Sequence, residues 1–175
     1  LNTETFAELG FPLDLHFSSL DLTDGFYQFE FEEMSSFFCL DMLSQASDYN
    51  VTRIWDDDLK DFDAVSASEY LYPCFRVIPM GWSWSLYFCQ CSLSHAMVCS
   101  EAARTNRSYE DVSGQLVKDR RPVRKLAPGR PLLAPYVDNA NLIAWSAYDA
   151  AAAFDSLLAY LLSVGFVTRD HVRAA

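Results

Sequence analysis

Several signals are missing from this chain of 175 residues, and each absence narrows what it can be. No apolar run approaches the roughly 18 residues that a membrane-crossing helix needs, and Leu1, Asn2, Thr3 and Glu4 supply no basic region leading into an apolar stretch. A soluble, unsecreted protein is therefore expected, intracellular, either cytoplasmic or nuclear, and with no membrane partner. The five cysteines, Cys39, Cys74, Cys89, Cys91 and Cys99, form no Cys-x-x-Cys pair, and His16, His95 and His171 form no His-Glu-x-x-His pattern. Buried, reduced thiols are expected in place of a disulfide framework or a zinc site. Basic charge is scarce: 13 Lys and Arg stand against 24 Asp and Glu, a formal net charge of -11. That balance opposes tight nucleic-acid binding by this chain alone, because phosphate recognition draws on counterion release. The chain also begins at Leu1 with no initiator methionine, and is expected to be a piece of a longer polyprotein.

What is present is a composition rich enough for one sizeable core, 51% hydrophobic and 15% aromatic, so one compact domain over residues 1–175 is the expectation. Residues 17–22 form a strand candidate, and Phe29-Glu30-Phe31-Glu32 alternates like a second strand with one solvated face. Residues 44–69 are polar and carry Asp56, Asp57, Asp58, Asp61 and Asp63. They lack the turn glycine and terminal glutamate of a calcium loop, and read as a solvated acidic insertion. A strand resumes over residues 70–78, and Pro79 with Gly81 breaks it before a long helix capped by Ser83 or Ser85. Leu86, Cys89, Leu93, Ala96 and Met97 then share one buried helical face.

Residues 104–131 make a basic linker that holds Lys118, Arg120, Arg121, Arg124, Lys125 and Arg130. It either lines a phosphate track or is a solvated loop. Two strands follow over residues 132–144. A final helix starts near Asp149 and stops at Gly165, with Phe154, Leu157, Leu158, Leu161 and Leu162 at helical spacing. The pattern predicts an α+β fold, a mostly antiparallel sheet with helices packed on one face.

Asp21 sits in one strand-like run, Phe17-Ser-Ser-Leu-Asp21-Leu-Thr-Asp24-Gly25-Phe26, and Asp138 in another, Tyr136-Val137-Asp138-Asn139, with Pro79-Met80-Gly81-Trp82 and Gln90 between them. In this order the three motifs resemble the palm of a reverse transcriptase, an RNA-dependent DNA polymerase. The likeness covers the family's first three motifs and part of a fourth, with Tyr-Val-Asp-Asn where most members have two successive aspartates. It implies a ferredoxin-like palm within a right-hand polymerase of retroelement origin. Fingers and thumb would lie in other segments of the same polyprotein.

The resemblance also implies roles. Asp21 and Asp138 would hold two Mg²⁺ ions, with Mn²⁺ as a substitute, helped by the Leu22 carbonyl and Asn139. Nucleotidyl transfer needs such hard oxygen ligands on a rigid platform. Asp24 and Gly25 would bring backbone N–H groups to the triphosphate, Phe26 would exclude a 2′-hydroxyl and so select deoxynucleoside triphosphates, Gly81 would play a similar part under the incoming nucleotide or template base, and Gln90 would orient the helix beneath it. Lys118, Arg120, Arg121, Arg124, Lys125 and Arg130 would track an RNA or DNA template with its primer. Where the family often has a lysine, this chain offers Arg169 and His171. A guanidinium is a poor general acid. Two functions are open: template-directed DNA synthesis, or a degenerate, non-catalytic polymerase remnant that serves at most as a binding or structural module.

Overall fold

The computed structural model describes residues 14–175, and residues 1–13, including the four N-terminal residues examined for a leader, lie outside the description. The described residues divide into two compact units, one of residues 14–28 with Met80–Ala175 and one of Phe29–Pro79.

The first unit is α+β. Its elements run β1 (His16–Leu22), α1 (Ser85–Thr105), the short α2 (Tyr109–Ser113), β6 (Leu132–Tyr136), β7 (Asn139–Ala144), α3 (Ala147–Ser163) and β8 (Thr168–Val172), with β2 to β5 in the other unit. The strands form one sheet in the order β6-β7-β1-β8, antiparallel at every pairing. Side chains alternate across a strand, so Leu20 and Leu22 of β1, Leu133 of β6, and Ala140 and Leu142 of β7 share one face. They form a core with Leu93, Ala96 and Met97 of α1 and Phe154, Leu157 and Leu161 of α3. Each such buried leucine or phenylalanine contributes about 1.5–3 kcal/mol. Leu132 and Ile143 point to the opposite face, where Leu126, Val117 and Val123 from the preceding loop cover them. Asp21 lies between Leu20 and Leu22 and is thereby turned away from the helix layer.

Helix ends explain part of this placement. The Ser146 side chain accepts a hydrogen bond from the Asp149 backbone N–H at 3.0 Å and caps α3. At the far end Gly165 adopts φ +91°, its N–H donating to Leu162 and that of Phe166 to Leu161, which is a Schellman closure. The start of α1 differs from expectation. Trp84 precedes it in a helical conformation with no side-chain cap, so neither Ser83 nor Ser85 performs that role. Ser85 is instead buried one turn before Cys89, in line with Leu93 and Met97. Leu86 falls off that stripe and is exposed, as is Leu162 of α3.

The second unit is a ribbon whose outgoing and returning legs pair in nested register. Glu30 bridges Val77, and Cys39 bridges Cys74. Beyond them β2 (Ser44–Gln45) pairs with β5 (Tyr70–Leu71), and β3 (Arg53–Asp56) pairs with β4 (Asp61–Ala64). The strand expected at Phe29-Glu30-Phe31-Glu32 shrinks to the single bridge at Glu30, because a 3-10 turn over Glu32–Ser36 ends the extended backbone. The strand expected over residues 70–78 is likewise reduced to Tyr70–Leu71 and two isolated bridges. Within the acidic stretch, Asp56 Oδ1 accepts from the N–H groups of Asp58 and Leu59 at 2.8 and 2.9 Å and turns β3 into β4. Asp61 and Asp63 are solvent-exposed on that hairpin.

Candidate functional site

The β6–β7 hairpin carries Asp138 in a two-residue turn, with Tyr136 and Asn139 as the last paired residues. Val137 takes φ +57°, a left-handed conformation that a β-branched side chain enters only under strain. Gln90 of α1 holds it there: its Oε1 accepts from the Val137 N–H at 2.8 Å, and its Nε2 donates to the Pro135 carbonyl at 3.1 Å. The Asp138 carbonyl accepts from the Leu22 N–H at 2.9 Å, which ties the turn to the end of β1. Asn139 stands opposite Asp21 in register. Two chain segments more than a hundred residues apart thus bring Asp21, on β1, close to Asp138, which lies in the turn before β7 and not on a strand as the sequence suggests.

Gly25 completes the junction. A Cβ built on it would lie 2.6 Å from the Asp138 Cβ, so only glycine leaves room for the turn. It opens a 3-10 turn, Gly25–Gln28, after Asp24, whose φ of +48° is also left-handed. Phe26 is half-buried in that turn. Gln28, to which the sequence reading gave no role, repeats what Gln90 does. Its Nε2 donates to the Val167 carbonyl at 2.8 Å and also to that of Thr23, and its Oε1 accepts from the Val167 N–H at 2.6 Å. The only sequence hint was its nearness to Asp21.

Asp21 is 9% exposed. Its Oδ2 accepts from Arg169 Nε on β8 at 2.8 Å, while its Oδ1 is buried with no hydrogen-bond partner among the described residues. The hydrogen bond and charge of Asp21 push the Arg169 guanidinium further above its usual range. Asp138 Oδ1 accepts from Asn139 Nδ2 at 3.0 Å. Beneath the turn, Cys89 is fully buried, and burial together with the Asp138 charge pushes its thiol up to about 11. The unmet Asp21 oxygen, with the second carboxylate nearby, fits the hard-oxygen demand of a divalent cation. Among the described residues no group of three or more His, Cys, Asp or Glu gathers around one point.

The other predicted residues are spread more widely. Gly81 takes φ +98° in the turn before α1, and a Cβ there would meet nothing, so its need is conformational. Lys118, Arg120 and Arg121 line a groove of about 1950 Å³ with Gln90, Tyr136 and Asn139. Arg124 and Arg130 lie instead against Asp111, at 3.9 and 3.7 Å. Asp111 also pairs with Arg107, which joins Arg104 on the buried Glu101. Lys125 is exposed. The basic linker thus divides into a groove wall and a structural ion network. His171 accepts or donates at Thr168 Oγ1 and stacks edge-on against Phe154, so it faces the helix layer.

The cysteines depart from expectation. All five are free, but only Cys89 is buried; Cys39, Cys74 and Cys91 are exposed and Cys99 is intermediate. Among the described residues no helix is long and apolar enough to cross a membrane. Compared with models of known protein families and with curated proteins, the chain matches none.

Proposed function

We propose that this chain is the palm of a reverse-transcriptase-type polymerase, performing template-directed DNA synthesis as one part of a larger polyprotein. The observation that carries the reading is the bond from the Leu22 N–H to the Asp138 carbonyl, with Gly25 seated against Asp138. It makes the first and third motifs one structural junction, as a shared catalytic role requires. The first unit's antiparallel sheet in the order β6-β7-β1-β8, with α1 and α3 following β1 and β7, is compatible with a ferredoxin-like palm and supports the reading.

In this proposal Asp21 and Asp138 hold the divalent cations, with the Leu22 carbonyl and Asn139 completing the protein donors. The ions, when bound, supply an activated primer hydroxyl and charge stabilisation on the leaving pyrophosphate. The turn from Asp24 to Phe26 lies under the deoxynucleotide, and Phe26 excludes a 2′-hydroxyl. Lys118, Arg120 and Arg121 meet template or primer phosphates along the groove. Gln90 and Gln28 keep the two backbone segments that flank the carboxylates in place.

A second reading, a catalytically silent remnant, is favoured by the ion pair of Arg169 with Asp21 and by the Asn139 amide on Asp138. The guanidinium offsets negative charge where cations would bind, and the amide occupies one Asp138 oxygen. Primer extension on an RNA template with Mg²⁺ separates the readings, using the full polyprotein segment that contains this chain and its Asp138→Ala and Asn139→Asp variants. Extension by the parent and none by Asp138→Ala is the expected result. A silent parent that Asn139→Asp rescues identifies the remnant, and silence in all three overturns the polymerase reading.

A further inference from the structure

Two of the exposed cysteines stand directly opposite one another in the second unit. Cys39 and Cys74 are the paired residues of an isolated antiparallel bridge. The flanking hydrogen bonds, from the Leu40 N–H to the Pro73 carbonyl and from the Phe75 N–H to the Phe38 carbonyl, are both 2.8 Å. Bonds on either side of the pair and none within it define a non-hydrogen-bonded antiparallel position. There the Cα atoms lie about 4.5 Å apart and the side chains leave the same face of the ribbon. A disulfide spans Cα separations of about 4.4–6.8 Å. The backbone therefore already meets the distance that a crosslink requires. Both residues are solvent-exposed, and Cys74 Sγ donates to the Tyr72 carbonyl at 3.5 Å.

We propose that Cys39 and Cys74 form an oxidative modification site, a cross-strand disulfide that closes the base of the β2 to β5 ribbon when a small disulfide such as oxidised glutathione is supplied. The Cys39 thiolate attacks one sulfur of oxidised glutathione and releases one glutathione thiolate, leaving a mixed disulfide on Cys39. The Cys74 thiolate then attacks the Cys39 sulfur and releases the second glutathione. Two protein thiols are oxidised, one disulfide is reduced to two thiols, and the two protons pass to the released glutathione. A mirror sequence starting at Cys74 gives the same product. An exposed disulfide of this kind is readily reduced again, so the closure is reversible. Closing it ties the segment around Cys39 to the segment around Cys74, and restrains everything between them.

The site is independent of any polymerase activity. Its test uses the full chain with oxidised glutathione, followed by alkylation of remaining thiols and trypsin digestion without reductant. Trypsin leaves Cys39 as the sole cysteine of the peptide ending at Arg53, and Cys74 as the sole cysteine of the peptide that begins after Lys60 and ends at Arg76. The expected product is these two peptides joined, in a yield about tenfold or more above that from urea-unfolded chain, as preorganisation raises effective concentration. Cys74→Ser should leave glutathione on Cys39, and cleavage of the native chain at Arg53 and Lys60 should slow after oxidation. Separate glutathione adducts on Cys39 and Cys74, equal yields from folded and unfolded chain, or preferential linkage to Cys91 would each overturn the proposal.

Discussion

Gly25 illustrates how one residue can be recognised for one reason and needed for another. Its position four residues after Asp21 marks it within the first motif, and close approach to a triphosphate is the use that the resemblance implies. The structure supplies a requirement internal to the chain, the 2.6 Å separation between a Cβ at this position and the Asp138 Cβ. Neither atom belongs to a flexible side-chain end, so relief needs a backbone shift. Gly25→Ala should cost about 1–3 kcal/mol of stability, as overpacking typically does, seen as a lower urea midpoint with an unchanged slope. Coupling should appear in a double-mutant cycle, with the penalty shrinking when Asp138 is also changed to glycine. A penalty that is the same in both backgrounds would show that the contact is not what excludes alanine. No single-sequence pattern announces such a contact, since the two residues meet only after β1 and the β6–β7 hairpin have paired.

At the level of elements, what could be read in advance follows from how local each signal is. The alternation in β1, the paired runs of β6 and β7, and the leucine stripe of α3 are periodic within a few residues. All were expected close to their observed bounds. Of the helix ends only the stop at Gly165 was legible: α3 was expected to start near Asp149 and is capped by Ser146, and α1 begins without the side-chain cap expected from Ser83 or Ser85. Phe29-Glu30-Phe31-Glu32 alternates as well, yet extended backbone persists only where a partner leg meets it, at Val77.

Element docking yields an acid-sensitive tie. Arg173, just past β8, binds Asp155 of α3 through two bonds of 2.8 and 2.7 Å and holds its carboxyl below the usual carboxylate range. A carboxyl with a depressed folded-state value stabilises above its unfolded value, about 3.9, and loses that contribution as pH falls through the folded value. The pair is half-exposed, so the effect is small. Urea midpoints followed from pH 6 down to pH 2 should therefore fall less steeply for Arg173→Ala than for the parent. Identical slopes would remove the pair from the acid response.

Across the whole molecule, charge is organised where the sum conceals it. A net charge of -11 predicts weak attraction to nucleic acid, yet Lys118, Arg120 and Arg121 line one groove while Arg124 and Arg130 neutralise Asp111. Sequence proximity could not separate these two groups, because the division depends on where α2 puts Asp111. If the three groove cations are the phosphate contacts, the logarithm of duplex affinity should fall with the logarithm of salt with a slope near about -2.7. Replacing all three by alanine should flatten that slope, measured by fluorescence anisotropy with a labelled primer–template. Replacing Arg124 and Arg130 should leave the slope and lower thermal stability. A slope that survives the triple replacement would place the nucleic-acid contact elsewhere.

The nested pairing of Phe29–Pro79 has an architectural corollary. Its legs are already joined at the root, where the Ile78 N–H donates to the Phe29 carbonyl at 3.1 Å and the Phe31 N–H to the Arg76 carbonyl at 2.7 Å. A segment that leaves and returns through one doorway behaves as a cassette. Its length and content can drift, expand or be trimmed at the tip at only a logarithmic entropic cost, with the register at the root left intact. The aspartate-rich tip of this ribbon is therefore the place where related chains have the greatest freedom to diverge.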